Sequence, residues 1–381
     1  MGRREVRFGV IGGGLMGREF VSAAARWCHL LDLDFAPRIV AVCDTSPAVL
    51  SWFATNLPGV VTTADYRELL DKRDIEAIYC AIPHHLHAEA YLAVIESGKH
   101  LLGEKPFGID RKANEAILKV IKANPKVLVR CSSEFPFFPG AQQIVRFVSE
   151  KRFGRIIEVE AGLLHSSDLD PRKKINWKRR VQFNGEYGCL GDLGLHVVHM
   201  PFRFGWFPDR VFASLSNIVT TRPDENGDQT ECETWDNATL TCDVTAEGYS
   251  FPMFLSTKRI APGEMNTWFI RILGTNFSAE FTTKNPRQLR TLPYTPGQPQ
   301  AWHVTDTGYE SAYRTITGGI FEFGFTDAIL QMWAAFCDEL VNGRQELRQP
   351  FFCATPEETE MSHRLFTAAL ESQSRGTAVA L

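Results

Sequence analysis

No run of about 18 apolar residues occurs anywhere in the 381-residue chain, which argues against a membrane-spanning helix. Basic residues are not in excess: 41 Lys and Arg face 45 Asp and Glu, for a formal net charge of −4. A nucleic-acid partner calls for a basic surface, so that class is disfavoured. The opening Met1-Gly2-Arg3-Arg4-Glu5-Val6 has no leader-like apolar stretch before the first strand and no Ser or Thr at position 6 for myristoylation. A cytoplasmic protein is the expectation. The nine cysteines are odd in number and contain no C-x-x-C pair, which reads as reduced thiols rather than a disulfide framework. Internal repeats and low-complexity tracts are absent as well. What remains is ordinary globular composition, 44% hydrophobic and 23% charged, at a length that suits two domains.

The first third alternates short apolar runs with helical segments. Val6 to Ile11, Ile39 to Cys43, Ile75 to Ile82 and Lys99 to Leu102 read as strands. Helices are expected through Ala23 to Leu31, with Pro37 closing the signal, and over Ala88 to Ser97. This alternation predicts an N-terminal Rossmann-type domain, a doubly wound parallel sheet, over residues 1–130. After about Val129 the pattern changes. Ile156 to Leu163, Val211 to Val219, Ala238 to Val244, Phe251 to Arg259 and Phe269 to Leu273 read as successive strands separated by turns. Helices are expected over Ala141 to Ser149, Leu193 to Phe204, Asp327 to Val341 and Pro356 to Gln373, and Pro286 to Gly308 reads as a surface loop. Residues 131–381 are thus expected to form an α+β domain with a large, mainly antiparallel open sheet.

Gly12-Gly13-Gly14-Leu15-Met16-Gly17 follows the strand Phe8-Gly9-Val10-Ile11 and opens a helix. In that context G-x-G-x-x-G is a dinucleotide fingerprint. Gly12 allows the tight turn, Gly14 the approach of a pyrophosphate, and Gly17 close packing of helix on strand, with the anion at the helix N-terminus beside Leu15 and Met16. Asp44 ends the second strand, where a carboxylate accepts from ribose hydroxyls and repels a 2′-phosphate. No Arg or Lys follows it closely. NAD is therefore the expected cofactor, NADP the less favoured one.

Pro83-His84-His85-Leu86-His87, Glu104-Lys105-Pro106 and Gly188-Cys189-Leu190-Gly191-Asp192-Leu193-Gly194-Leu195-His196, together with the glycine fingerprint, resemble the glucose–fructose oxidoreductase / inositol dehydrogenase family (Gfo/Idh/MocA). The resemblance covers nearly the whole chain. It implies an NAD(P)-dependent dehydrogenase that oxidises a ring hydroxyl of a sugar, glycoside or cyclitol, or runs the reverse reaction. It places Pro83, His84, His87 and Glu104 at the cofactor, and Lys105 beside the nicotinamide and the reacting hydroxyl. Asp192 and His196, four residues apart on one helical face, become companion and base. Asn176-Trp177-Lys178-Arg179-Arg180 borders the family's substrate pocket, where an indole stacks on a sugar ring and Lys or Arg donates to its hydroxyls. His165 is a further candidate for that pocket.

Three positions depart from the family pattern: His84 stands where Asn is common, His199 where Asp is common, and Glu134-Phe135 where an Arg-Phe pair is common. They bear on which substrate is used. His196 and His199 lack a third ligand at a recognisable spacing, so no metal is expected. The expected partners are a small polyhydroxylated substrate and further copies of the chain, as a dimer or tetramer, because the family self-associates through its open sheet. A second reading is a dinucleotide-binding sensor or regulator of the same fold without turnover.

Overall fold

Six strands, β1 (Arg4–Ile11), β2 (Phe35–Cys43), β3 (Val61–Thr63), β4 (Ala77–Cys80), β5 (His100–Gly103) and β6 (Val129–Cys131), pair in parallel in the order β3-β2-β1-β4-β5-β6. This is the doubly wound order expected for a dinucleotide-binding domain. Helices Leu15–Ala25, Pro47–Asn56, His87–Glu96 and Arg111–Ala123 and the single turn Arg67–Leu70 connect the strands. The computed structural model describes residues 3–308, 310–321 and 323–381. Met1 and Gly2, part of the N-terminal reading, lie outside them.

The first helix stops at Ala25, and Trp27–His29 is a 3-10 turn, so the expected continuation to Leu31 does not occur. Pro37 closes no helix. It lies inside β2, opposite Val6 of β1. β3 reaches only Ala41–Cys43 of β2, so Pro37 stands where the strand has a single neighbour and its missing N–H removes no ladder bond on the β3 side.

Two compact units divide the chain, and the division is not one cut in the sequence. The first contains Met1–Gly108, Lys112–Phe137 and also Glu310–Pro356, which lies far beyond the single boundary at residue 130 expected from the sequence. Aromatic packing accounts for this. Trp333, on helix Phe325–Asn342, meets Phe20 with ring centroids 3.6 Å apart and Phe8 at 5.2 Å, while Phe20 stacks on Tyr79 at 3.8 Å. The buried pair Arg130–Glu339 and the Arg26–Asp327 bridge at 2.6 Å tie the same helix to the same unit.

The second unit is built on a nine-stranded sheet, order β16-β15-β14-β13-β7-β12-β11-β8-β17. Its strands are β7 (Ile156–His165), β8 (Pro208–Ser216), β11 (Asn237–Ala246), β12 (Tyr249–Lys258), β13 (Met265–Gly274), β14 (Phe277–Thr282), β15 (Gln288–Pro293), β16 (His303–Asp306) and β17 (Val379–Ala380). β9 (Thr221–Pro223) and β10 (Gln229–Glu231) form a separate ribbon. β7 and β12 run parallel; the other neighbours are antiparallel. Pro286 to Gly308 is not simply a loop, since it supplies β15 and β16. All four residues of β16 are exposed, so no apolar alternation marks it. Helix Cys189–Arg203 packs on β7 and β12, and every residue from Cys189 to Phe202 is buried. Gly194 allows this depth, because a Cβ there would lie 2.4 Å from the Phe366 ring of helix Pro356–Arg375.

Candidate functional site

In the first unit the glycine turn follows β1. Gly12 has φ +94°, and a Cβ on it would sit 2.3 Å from the Ala81 carbonyl oxygen, so only glycine fits. A Cβ on Gly17 would lie 2.1 Å from Gly12 O, whereas the space in front of Gly14 is open for 4 Å. Helix Leu15–Ala25 begins at Gly14 with no side-chain cap and no acid in its first turn. Its N-terminal N–H groups and partial positive charge suit a phosphate. The open face at Gly14 and the uncapped terminus fit a dinucleotide. Asp44, at the end of β2, accepts from Gly13 N at 2.8 Å and from Ser46 N at 2.8 Å.

After β4, Pro83 precedes a 3-10 turn, His84–Leu86, with His84 buried, and His87 opens helix His87–Glu96. The buried His87 ring spans two carbonyls, Nδ1 at 2.7 Å from Pro106 O and Nε2 at 2.8 Å from Ile82 O. Burial pulls its pKa down, against those two acceptors. His87 thus links the loop after β4 to the Glu104-Lys105-Pro106 turn after β5, where the Lys105–Pro106 bond is cis. Glu104 is buried. Its Oε1 accepts from the Tyr79 hydroxyl at 2.7 Å, and its backbone oxygen accepts from the Tyr91 hydroxyl at 2.6 Å. Glu134, after β6, is a further titratable group, one not among the site residues expected from the sequence. Burial, and then the negative charge of Glu104, push its carboxyl up to about 8, while the Lys105 charge acts in the opposite direction. The available signal was its departure from the family's Arg-Phe pair.

In the second unit, Asp192 and His196 lie one turn apart on helix Cys189–Arg203, both buried. Lys178 Nζ donates to the two Asp192 oxygens at 2.9 and 3.1 Å, and Arg259 Nη1 donates to Oδ2. Arg259 Nε donates to the buried Asp168 at 2.9 Å. Arg259 and Asp168 escaped the sequence reading, since nothing in their spacing points to Asp192. The His196 carbonyl accepts from Trp268 Nε1 at 2.8 Å. His199 belongs to a different group: Arg203 Nη2 is 3.1 Å from its Nε2, and Arg203 Nε donates to Glu358 at 2.6 Å.

The Trp177–Arg179 turn separates the residues expected to act together. Trp177 and Arg180 are partly exposed, and the Lys178 ammonium lies 5.5 Å from the Trp177 ring. Arg179 departs from the pocket role expected of it. Fully buried, it donates to Asn217 Oδ1 at 2.7 Å and Val219 O at 3.0 Å and pairs with Asp236 at 3.4 Å, which makes it a structural clamp. His165 ends β7, half-buried, and its carbonyl accepts from Ala261 N at 2.7 Å.

All nine cysteines carry free thiols, eight of them buried. Burial pushes the Cys43 thiol up to about 11 and the Cys189 thiol up to about 12, which makes them inert. Among the described residues, no three His, Cys, Asp or Glu side chains gather as a metal group, and no helix is long and apolar enough to cross a membrane.

Residues 6–131 match the model of the oxidoreductase family, NAD-binding Rossmann fold. Levoglucosan dehydrogenase of Pseudarthrobacter phenanthrenivorans is 27% identical over 59% of this chain and 57% of its own length. A scyllo-inositol 2-dehydrogenase (NADP(+)) of Bacillus subtilis is 26% identical over 51% and 56%. The chain thus aligns with little more than half the length of these relatives. A solved levoglucosan dehydrogenase in complex with NADH superposes with a TM-score of 0.86 over 99% of both chains, at 22% identity, which establishes the shared two-part fold.

Proposed function

We propose that this chain, whose residues 6–131 match the oxidoreductase family model with an NAD-binding Rossmann fold, is an NAD-dependent dehydrogenase. Its proposed reaction oxidises a ring hydroxyl of a sugar, glycoside or cyclitol to a ketone, or the reverse. The observation that carries this reading is the glycine turn with its uncapped helix, in a chain that also keeps Lys105 and the buried Asp192/His196 pair.

Gly12, Gly14, Leu15, Met16 and Gly17 would hold the pyrophosphate, and Asp44 the adenosine ribose. Pro83, His84, His87, Glu104 and Lys105 would border the remainder of the dinucleotide. When bound, the nicotinamide supplies the hydride acceptor. Asp44, hydrogen-bonded to Gly13 and Ser46, holds a fixed negative charge that favours a free 2′-hydroxyl over a 2′-phosphate, hence NAD. His196 takes the hydroxyl proton, and Lys105 stabilises the developing alkoxide charge. Trp177, Lys178 and Arg180, with His165, are the proposed contacts to the polyol. A dimer or tetramer is the proposed assembly, and the cytoplasm the proposed location.

The test is a screen of sugars, glycosides and inositols with NAD, read as absorbance of the reduced cofactor. Substrate-dependent reduction is expected. Dinucleotide binding without turnover on any polyol would instead favour the sensor reading.

A further inference from the structure

We propose that Arg259 is a positioning residue for the proposed reaction: it holds Asp192 as an oriented, permanently charged carboxylate. Asp192 then accepts a hydrogen bond from a substrate hydroxyl and does not itself carry the proton. This rests on the dehydrogenase reading above.

Lys178 and Arg259 both meet Asp192, and they differ in kind. Lys178 reaches it from a flexible stem whose side chain is 29% exposed, whereas the Arg259 side chain is 8% exposed and the Asp192 side chain 1%. Arg259 is anchored throughout. Its backbone N–H donates to Asp236 O at 2.8 Å, its carbonyl accepts from Asp168 N at 3.1 Å, and its Nε donates to Asp168 Oδ2 at 2.9 Å. Asp168 is pinned in turn, because Arg222 donates to its backbone oxygen. Burial opposes the Arg259 charge, but the charges of Asp192 and Asp168 outweigh it and raise its pKa. At Asp168 burial raises the pKa, and the Arg259 charge and hydrogen bond, together with the charges of Arg222 and Arg179, lower it overall.

The planar guanidinium therefore bridges two buried carboxylates, Nε to one and Nη1 to the other, a geometry that lysine's single ammonium cannot reproduce. A carboxylate held between two cations favours its ionised form. Of these contacts, the one with the partly exposed Lys178 can be exchanged for a substrate hydroxyl, while the Arg259 contact stays. In this arrangement Asp192 sets the direction of an acceptor, and the proton leaves through His196.

The experiment combines turnover with infrared titration of Asp192, its band assigned by difference from Asp192→Asn. In the unmodified chain the Asp192 carboxylate is expected to stay ionised into the acid range. In Arg259→Gln its protonation should move upward by at least about one pH unit, and kcat should fall roughly 10²-fold with NAD affinity unchanged. Added guanidinium ion should restore part of the rate. In an Asp192→Asn background, Arg259→Gln should add no further loss. If Arg259→Gln does not fold, Arg259→Lys carries the test, because it keeps a cation without the bridge: kcat is expected to fall while Asp192 stays ionised. The proposal is overturned by unchanged Asp192 ionisation in Arg259→Gln, by a loss that persists in full in the Asp192→Asn background, or by normal kcat in Arg259→Lys. Absence of any polyol turnover in the unmodified chain ends the dehydrogenase reading instead. The infrared titration then still decides whether Arg259 keeps Asp192 ionised.

Discussion

The backbone N–H of Gly13 donates to Asp44 Oδ2 at 2.8 Å, which ties the glycine turn after β1 to the acid that follows β2. The carboxylate proposed to select the ribose also braces the turn proposed to hold the phosphates. Asp44→Ala should therefore weaken NAD binding by about 1.5–3 kcal/mol, the cost of a lost charged hydrogen bond, and relieve repulsion of NADP. Comparing dissociation constants for the two dinucleotides checks this. Tighter binding of NADP than NAD by the unmodified chain would refute the assignment.

His196→Ala should lower kcat by roughly 10²–10⁴-fold, the usual contribution of a general base, with NAD affinity nearly unchanged. Lys105→Ala should be at least as damaging, because the alkoxide charge then develops without its cation. The kcat/KM profile should rise with pH on one basic group, and that limb should disappear in the His196 variant. Normal turnover by a folded His196→Ala protein would remove His196 from the mechanism.

The Trp177–Arg180 turn should split into two phenotypes. Trp177→Ala and Arg180→Ala should raise KM for the best polyol and leave stability near that of the unmodified protein. Arg179→Ala should instead cost about 3–5 kcal/mol of stability, because it strands the buried Asp236 charge. Denaturation curves alongside KM values separate the two. Normal KM in both the Trp177 and Arg180 variants would place the polyol elsewhere.

Glu134 gives a stability prediction with a definite sign. Its carboxyl is raised from 4.5 to about 8 in the folded chain. Between those values the native state keeps a proton that the unfolded chain has lost, so this group's contribution is complete below about pH 4.5 and declines as pH rises through 8. The slope is at most about 1.4 kcal/mol per pH unit. Glu134→Gln cannot lose that proton, so its stability relative to the unmodified chain should climb from pH 5 to 8 and then level off. A difference that does not change with pH would show that Glu134 is ionised throughout.

Period and punctuation along the chain were enough to expose the strand–helix alternation, the glycine turn and the late antiparallel strands, because these are local properties. The Asp192/His196 spacing was legible for the same reason: four residues on a helix make one face. Helix Phe325–Asn342 was legible as a helix but not as part of the first unit. Its docking depends on Trp333 meeting Phe8 and Phe20, more than 300 residues away, and apolar periodicity names no partner.

The charged groups divide along the same line. Sequence by itself determined that a glycine-rich turn follows β1, that an acid, Asp44, stands at the end of the second strand run, and that Lys105 sits in a Glu-Lys-Pro turn and Asp192 and His196 four residues apart. Only the tertiary structure decided that Arg259 and Lys178 close on Asp192, that Arg179 turns inward to Asp236, and that Glu134 is buried near the charges of Glu104 and Lys105. Turn and helix geometry is set by neighbours in the chain, whereas ion pairing and burial are set by which distant segments the sheets bring together.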